Sequence, residues 1–485
     1  MSRTIITYKD IAPGAAEDAA VSASQALDRS VVALLPFGAE VPAMATGELN
    51  AWGLDGKHSV MPDAQDVAFW SADLSGEDCS FANPPSITVV FDQQYSSTGI
   101  TLTFDPVTGD YCSAVNIKWY QGSTLKADAN FAPNAVEYLC LQKVTSYNKI
   151  MITLQKTKHP YRRARLNGIV FGTTRHFDMS EIRKASITNE MDLLAASLPI
   201  SNLRWTLDSR EDVDFLFQLK QPMEVRNGGA LIGVYYIDAS RRLGPGLYDL
   251  DCFDAIGVLS ESSFAGGIYT DKSAKELLTE ILGEDFTLDF EAADTKLTGA
   301  ILPCTKREAA QQVLFAWGVY ASTDGRETIR VFVPGSNPAE IGLDRTFLGA
   351  EVETAAIVTR VVVTAHTYTQ DSNGGVEIGG VKYSETTATY TADNPNVTAT
   401  DKQNVIEVSG ATLVSPTIGQ AVAQRVYDYY SRRNTHTAKI VWNGERLGDC
   451  VTVPNSWGGT NTGGINRLEM KLSNTIVATC RTVGV

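Results

Sequence analysis

The chain has 485 residues, 44% apolar and 20% charged, with a formal net charge of -15. That length holds roughly three to four ordinary domains, and the composition is that of a folded rather than a disordered protein. The acidity excludes a chain that grips nucleic acid through clustered Lys and Arg, so no sequence-specific nucleic-acid binding is expected. Seven scattered cysteines (Cys79, Cys112, Cys140, Cys252, Cys304, Cys450, Cys480) show no C-x-x-C pair and read as reduced core thiols. MSRTIITYKD has no apolar leader core, and SVVALLPFG is broken by Pro36 well short of the ~20 residues of a membrane span. Assembly in a cytoplasm without a membrane span is the expectation.

Residues 1–48 read as an N-terminal arm. From 49 to 172, short alternating segments (SITVVFD, GITLTFD, AVNIKWYQ, VEYLCL, KIMITLQKT, NGIVFG) are separated by turn clusters, the pattern of a β-sandwich. The stretch NAWGLDG, the loop FWSADLSGEDCSF and the closing PYRRARLNGIVFG make this region similar to the galactose-binding-like, or discoidin-like, jelly roll. The next expected domain, 173–262, holds the strands SNLRWTLDS, DFLFQLK, PMEVRN, ALIGVYYID and GLYDLDC, with a tight hairpin at Asn227-Gly228-Gly229. A small α/β domain follows over 263–342. There Ala274, Leu277, Leu278 and Ile281 mark a helix ended by Gly283, and Thr305 and Glu308 form a capping box before a second helix. The domain 343–485 returns to strands around a helix opened by Ser415-Pro416, with Ile418, Val422, Val426 and Tyr430 as its buried stripe. The fold class is therefore mainly β with α+β parts, in several domains: a β-sandwich jelly roll, two antiparallel sheet-plus-helix domains, and a small α/β insertion.

Catalytic motifs are missing. There is no G-x-S-x-G elbow, H-E-x-x-H pair, Walker loop or dinucleotide-binding glycine pattern, and His58, His159, His176, His366 and His436 lie far apart in sequence. Among 56 acidic residues, chance pairs are certain, so carboxylate pairs alone do not indicate a glycosidase. Asp249, Asp251 and Asp254 in YDLDCFDAIG are the one carboxylate cluster that could hold a cation, against a strand end that leads into a helix N-terminus. Aromatic rings that stack on sugars and polar groups that take hydroxyls could come from Trp52, Trp70, Tyr95, Tyr120, Tyr161 and Arg162, whereas Trp119 reads as core. In Tyr161-Arg162-Arg163-Ala164-Arg165, alternation would put Arg163 and Arg165 on one face, toward a neighbouring subunit's carboxylates or on a solvated edge strand protected by charge.

Over residues 173–485 the order of elements resembles the hub proteins at the tip of bacteriophage tails. The resemblance rests on VRNGGALIGVYYID followed by GLYDLDCFDAIG, on CTKREAAQQVLFAWGVYASTDGRETIRVFVP, and on SPTIGQAVAQRVYDYYSRR followed by HTAKIVWNG and RLGDCVTVPNSWGGTNTGGINRLEMKLSN. It implies a structural virion protein and not an enzyme. Such a protein would be a homotrimer whose two tube-like domains line a central channel, where an acidic wall would let DNA pass. Its partners would be the tail tube, distal tail or baseplate proteins, the tape-measure protein and, through the jelly roll, a host-surface glycan; no cofactor is implied. The other function classes are a carbohydrate-binding adhesin and a glycan-degrading enzyme with an attached sugar-binding module.

Overall fold

The computed structural model describes residues 4–12, 14–39, 46, 48, 67–209, 217–283, 286–323, 325, 328–398, 402–455 and 457–484. The fold is mainly β, in several sheets, as the strand-rich sequence requires. The chain forms two compact units, one of Thr7–His176 with Asp214–Gln221, the other of Met1–Ile6, Phe177–Val213 and Pro222–Val485.

In the first unit, a six-stranded sheet joins β1 (Ala20–Ala23), β2 (Ser86–Thr103), β3 (Cys112–Gln121), β4 (Thr124–Phe131), β5 (Glu137–Thr157) and β6 (Gly168–Val170). The order is β1-β2-β5-β3-β4, with β6 also on β2, so residues 20–23 of the expected arm supply an edge strand. Four strands expected from SITVVFD, GITLTFD, VEYLCL and KIMITLQKT are here two long ones, β2 and β5. The polar runs between them are absorbed as irregularities of register between Val90 and Gly99 rather than as turns. Ser146, at φ 55°, marks the irregularity in β5. Where the two strands approach, a Cβ on Gly99 would lie 2.5 Å from the Cys140 carbonyl oxygen, which requires glycine. Ile87, Val89, Ile100, Leu102, Ile117, Ile150 and Ile152 face one core. Trp119 is fully buried there, edge-on to Phe131 with ring centroids 6.5 Å apart.

The second unit is built on a large sheet. Its strands are β7 (Ile182–Glu190), β8 (Asn202–Asp208), β9 (Pro222–Asn227), β10 (Ala230–Gly244), β11 (Leu247–Phe253), β12 (Glu351–Thr354), β16 (Asn434–Val441), β17 (Cys450–Pro454), β18 (Thr460–Lys471) and β19 (Val477–Gly484). Within this sheet of thirteen strands the order runs β9-β10-β11-β8-β7-β18-β19-β16-β12, with β17 also on β18 and further strands beyond β9. Strands from the stretches 173–262 and 343–485 thus meet in a single sheet, through antiparallel pairing of β7 with β18 from Ser186↔Lys471 to Glu190↔Arg467. The β9–β10 hairpin turns at Gly228 and Gly229, φ 59° and 88°, the positive-φ pair that a two-residue turn of this hand demands.

A second layer holds β13 (Arg360–Gln370), β14 (Val381–Asp393) and β15 (Val405–Val408), with the helices α1 (Ala274–Leu282), α2 (Lys306–Trp317) and α3 (Gly419–Ser431). Leu277, Leu278, Ile281, Val313, Leu314, Val363, Val422 and Val426 share its core. Ser273 caps α1 through the Glu276 amide at 3.2 Å, and Gly283 ends it at φ 74°. The capping box on α2 is complete, with the Glu308 amide donating to Thr305 Oγ1 and the Thr305 amide to Glu308 Oε2, at 3.2 and 2.8 Å. α3 starts later than its sequence suggests. The Ser415 hydroxyl turns to Thr417 Oγ1 at 2.7 Å instead of capping, and the Gly419 amide reaches the Ser415 carbonyl at 3.0 Å. Val422 and Val426 are buried, while Ile418 and Tyr430 are only half-buried.

Strand alternation makes a direct forecast. Ile187 is fully buried and Lys184 is exposed on the same strand. Ile187→Ala should cost about 2–5 kcal/mol in urea unfolding, and Lys184→Ala within about 0.5 kcal/mol of zero; equal effects would mean that β7 does not face the core as described.

Candidate functional site

The large sheet has two chemically distinct faces. Ile187, Leu203, Trp205, Leu207, Leu250, Leu468, Ala478 and Ile440 are buried on one. The alternate residues Lys184, Arg204, Asp249, Asp251, Arg467, Glu469 and Arg481 lie on the other. Ion pairs cross the ladders of that polar face. Arg204 Nε lies 3.2 Å and Arg241 Nη2 3.4 Å from the two Asp251 oxygens, Arg467 Nη1 lies 3.2 Å from Glu190, and Thr206 donates to Asp249 at 2.6 Å. Two shallow grooves lie on this face. One, of about 270 Å³, holds Lys184, Arg204, Arg241, Asp249 and Asp251, and the other, of about 280 Å³, holds Glu353, Arg467, Glu469 and Arg481. Both signs of charge alternate, so the chain's acidic excess is not concentrated on this face.

The expected trio Asp249, Asp251 and Asp254 is not one cluster. Asp249 and Asp251 alternate on the polar face, where Thr206, Arg204 and Arg241 already hold them. Asp254 lies one residue beyond β11, off that alternation. It is buried, caps the short helix Ala255–Val258 through the Gly257 amide, and accepts a 2.6 Å hydrogen bond from Thr323 Oγ1. Among the described residues no group of three or more His, Cys, Asp or Glu is gathered to hold a metal.

The six expected sugar-binding residues also separate. Trp52 lies outside the described residues. Trp70 is buried under Arg165, whose guanidinium carbon is 4.1 Å from the ring centroid. Tyr120 lies under Lys149, with Nζ 5.3 Å from its ring centroid, and the neighbouring Tyr95 donates to the Gly14 carbonyl at 3.2 Å. Tyr161 and Arg162 instead lie at the far end of β3 and β5, where Cys112 pairs with Thr157. There Arg162 is buried, with Nε and Nη1 lacking hydrogen-bond partners and Nε 3.7 Å from Asp110 Oδ2, while Tyr161 is exposed at φ 56°. His159 Nε2 lies 3.9 Å from the other Asp110 oxygen. Sequence reading missed Asp110 and His159; only the strand pairing brings them beside Arg162.

Arg163 and Arg165 do not await another subunit. Arg165 is buried between Asp105, at 2.6 Å, and Glu48, and Arg163 Nη1 donates to the Ser71 carbonyl at 2.6 Å and to that of Ala72. The strand is only Arg165–Leu166, so the partners come from the same chain. The seven cysteines are free, and burial pushes the Cys140 and Cys480 thiols up to about 12, which makes them poor nucleophiles.

No protein-family model matches the chain, and no curated protein matches its sequence. Solved structures overlap with it in part. The tail protein from Neisseria meningitidis MC58 is 12% identical, with a TM-score of 0.47 over 64% of this chain and 93% of that one. The 43 kDa tail protein of prophage MuSo2 from Shewanella oneidensis is 11% identical, with a TM-score of 0.45 over 64% of this chain and 96% of that one. A family 32 carbohydrate-binding module of NanJ from C. perfringens, solved with galactose, is 12% identical with a TM-score of 0.22, over 35% of this chain and 99% of that one.

Burial raises the Asp254 carboxyl from 3.8 to about 6. The folded state then binds this proton more tightly than the unfolded state. Its stabilising contribution is full below the unfolded value and is lost as pH rises through about 6. Asp254→Asn keeps an amide-accepting cap without that titration. Between pH ~4 and ~7 its stability should rise relative to the parent chain by on the order of 2 kcal/mol; a difference that stays flat with pH would show that Asp254 is not a proton-binding carboxyl in the fold.

Proposed function

We propose that this chain is a structural protein of a bacteriophage-type tail, a baseplate or tail-tip hub subunit that joins the tail tube to the tip complex. Its role is assembly and not catalysis. The observation that carries this reading is the continuous sheet of the second unit, with one face packed on a core and the other lined across its strands by polar and paired charged side chains. A polar face held by cross-strand pairs suits a wall exposed to water on a permanent surface, where both signs of charge leave little net field to capture a passing polyanion. In this reading the stretches 173–262 and 343–485 are two tube-like halves, the subunit is a homotrimer, and the polar face lines the channel. The tape-measure protein and distal tail proteins are its other partners, and the virion is its location.

The test is removal of the gene from a cell that produces the particle. Heads without complete tails, restored by the intact gene on a plasmid, is the expected result under electron microscopy. Complete tails of normal length and tip shape would overturn the reading.

A second role, attachment to a host-surface glycan, is favoured by Arg162. A buried guanidinium with unsatisfied donors beside Asp110, His159 and the exposed Tyr161 ring has the donors, acceptors and stacking surface that a sugar needs. On a glycan array, the full chain should give signals that Arg162→Ala reduces by at least about tenfold, the loss of one charge-assisted hydrogen bond. Equal binding by parent and variant would remove this end of the unit from consideration.

A further inference from the structure

In the second layer, β15 is the last strand of its own small sheet. Among the described residues it pairs with β13 on one side and with no strand on the other. A strand turns alternate backbone N–H and C=O groups to its two sides, so those on the outer side of β15 have no strand to answer them. Val405 and Glu407 are exposed along it, and Ser409 and Gly410 continue the exposed run past its end. A groove of about 460 Å³ opens there. Its apolar lining includes Val408 and Ala411, Phe315 from α2, and Leu194 from the connection between β7 and β8. Gly410 forms part of the wall. Its φ is not positive, and nothing lies within 4 Å of where a Cβ would stand, so neither the backbone nor the chain's own packing demands glycine at this position. Glu407 is the one charged residue of the lining, and among the described residues no cation pairs with it.

We propose that this edge and groove form a docking site for an extended segment of another protein. The segment adds to β15 as a further strand, sets an aliphatic or aromatic side chain into the groove, and places a Lys or Arg beside Glu407. Main-chain hydrogen bonds along the edge supply the hold, and the groove selects the side chain. Charge selects the occupant. Docking takes the Glu407 carboxylate at the rim of an apolar groove partly out of water, a cost that an opposing cation offsets and an opposing carboxylate increases. The chain itself carries a net charge of -15, so a second copy is a poor source of the cationic segment. The inference stands apart from the tail reading, because it concerns what the edge recognises and not where the protein is assembled.

The probe is an array of short capped peptides in which Thr alternates with Val, Leu, Ile or Phe and one central position is Lys or Glu, titrated with the full-length chain. Lys peptides should bind at least about tenfold more tightly than their Glu counterparts, and Glu407→Lys should reverse that order. Gly410→Leu fills the groove and should weaken the best Lys peptide by at least about tenfold. Both variants should keep the parent's melting temperature, since Glu407 is exposed and the space beside Gly410 is open. Methylating one alternate set of the peptide's backbone nitrogens should abolish binding while methylating the other set spares it, a distinction that a peptide merely adhering to apolar surface would not show. Binding by none of the peptides, or equal binding by the parent and Gly410→Leu chains, overturns the site. Self-association of the parent that Gly410→Leu removes would give the groove to a second copy and overturn the proposal as well. The gene-removal experiment judges the tail reading without reference to this groove.

Discussion

The antiparallel ladder between β7 and β18 is the contact on which the second unit depends. Glu190 and Arg467, which pair across it, are 277 residues apart in sequence. Closing a loop of that length costs on the order of 5 kcal/mol in chain entropy before any contact rewards it. The ladder is sustained because each strand carries its apolar side chains on the same face: Ile187 lies opposite Met470, while Ser186 lies opposite Lys471 on the other face. A one-residue slip of β18 would turn Leu468 and Met470 to water and bury Lys471 beside Ile187, so the pleat itself fixes the register. Everything that lies on the polar face, including the ion pairs of Asp251 and Glu190, inherits its position from that register.

The local rules were legible in the residues because they act within a few positions. The capping box Thr305–Glu308, the stop at Gly283 and the turn at Gly228-Gly229 all follow from backbone geometry that neighbouring side chains decide. Misreadings began where long-range pairing overrode a local signal. DQQYSS has the polarity of a turn, yet β2 passes through it because β5 pairs on both sides and the mismatch is taken up by bulges. Ser415-Pro416 has the chemistry of a helix start, but its hydroxyl found Thr417 first.

The candidate sites were less legible, since a site is a coincidence of distant segments. Arg165, Asp105 and Glu48 form a buried triad whose members are up to 117 residues apart, and nothing in the string YRRAR distinguishes it from a solvated basic edge. Two carboxylates around one guanidinium satisfy one another at the cost of desolvation, so the triad fixes how Arg165 sits over Trp70 more than it adds stability. Asp254 shows the same limit. In sequence it stands with Asp249 and Asp251, yet a three-residue step from Asp251 leaves the alternation of the strand and carries it into the core.

Buried polar groups divide the molecule by what they do. Asp254, with its cap and the Thr323 hydroxyl, and the Arg165 triad are satisfied within the chain and serve the fold. His436 is different: it is buried on β16 with neither ring nitrogen hydrogen-bonded, and desolvation lowers its affinity for a proton. A histidine held neutral in this way contributes its stability above its ordinary value of 6.5 and loses it as pH falls. Because His436 on β16 pairs with Val352 in β12, protonating it in acid would loosen the hold of β16 on β12 at this point of the sheet.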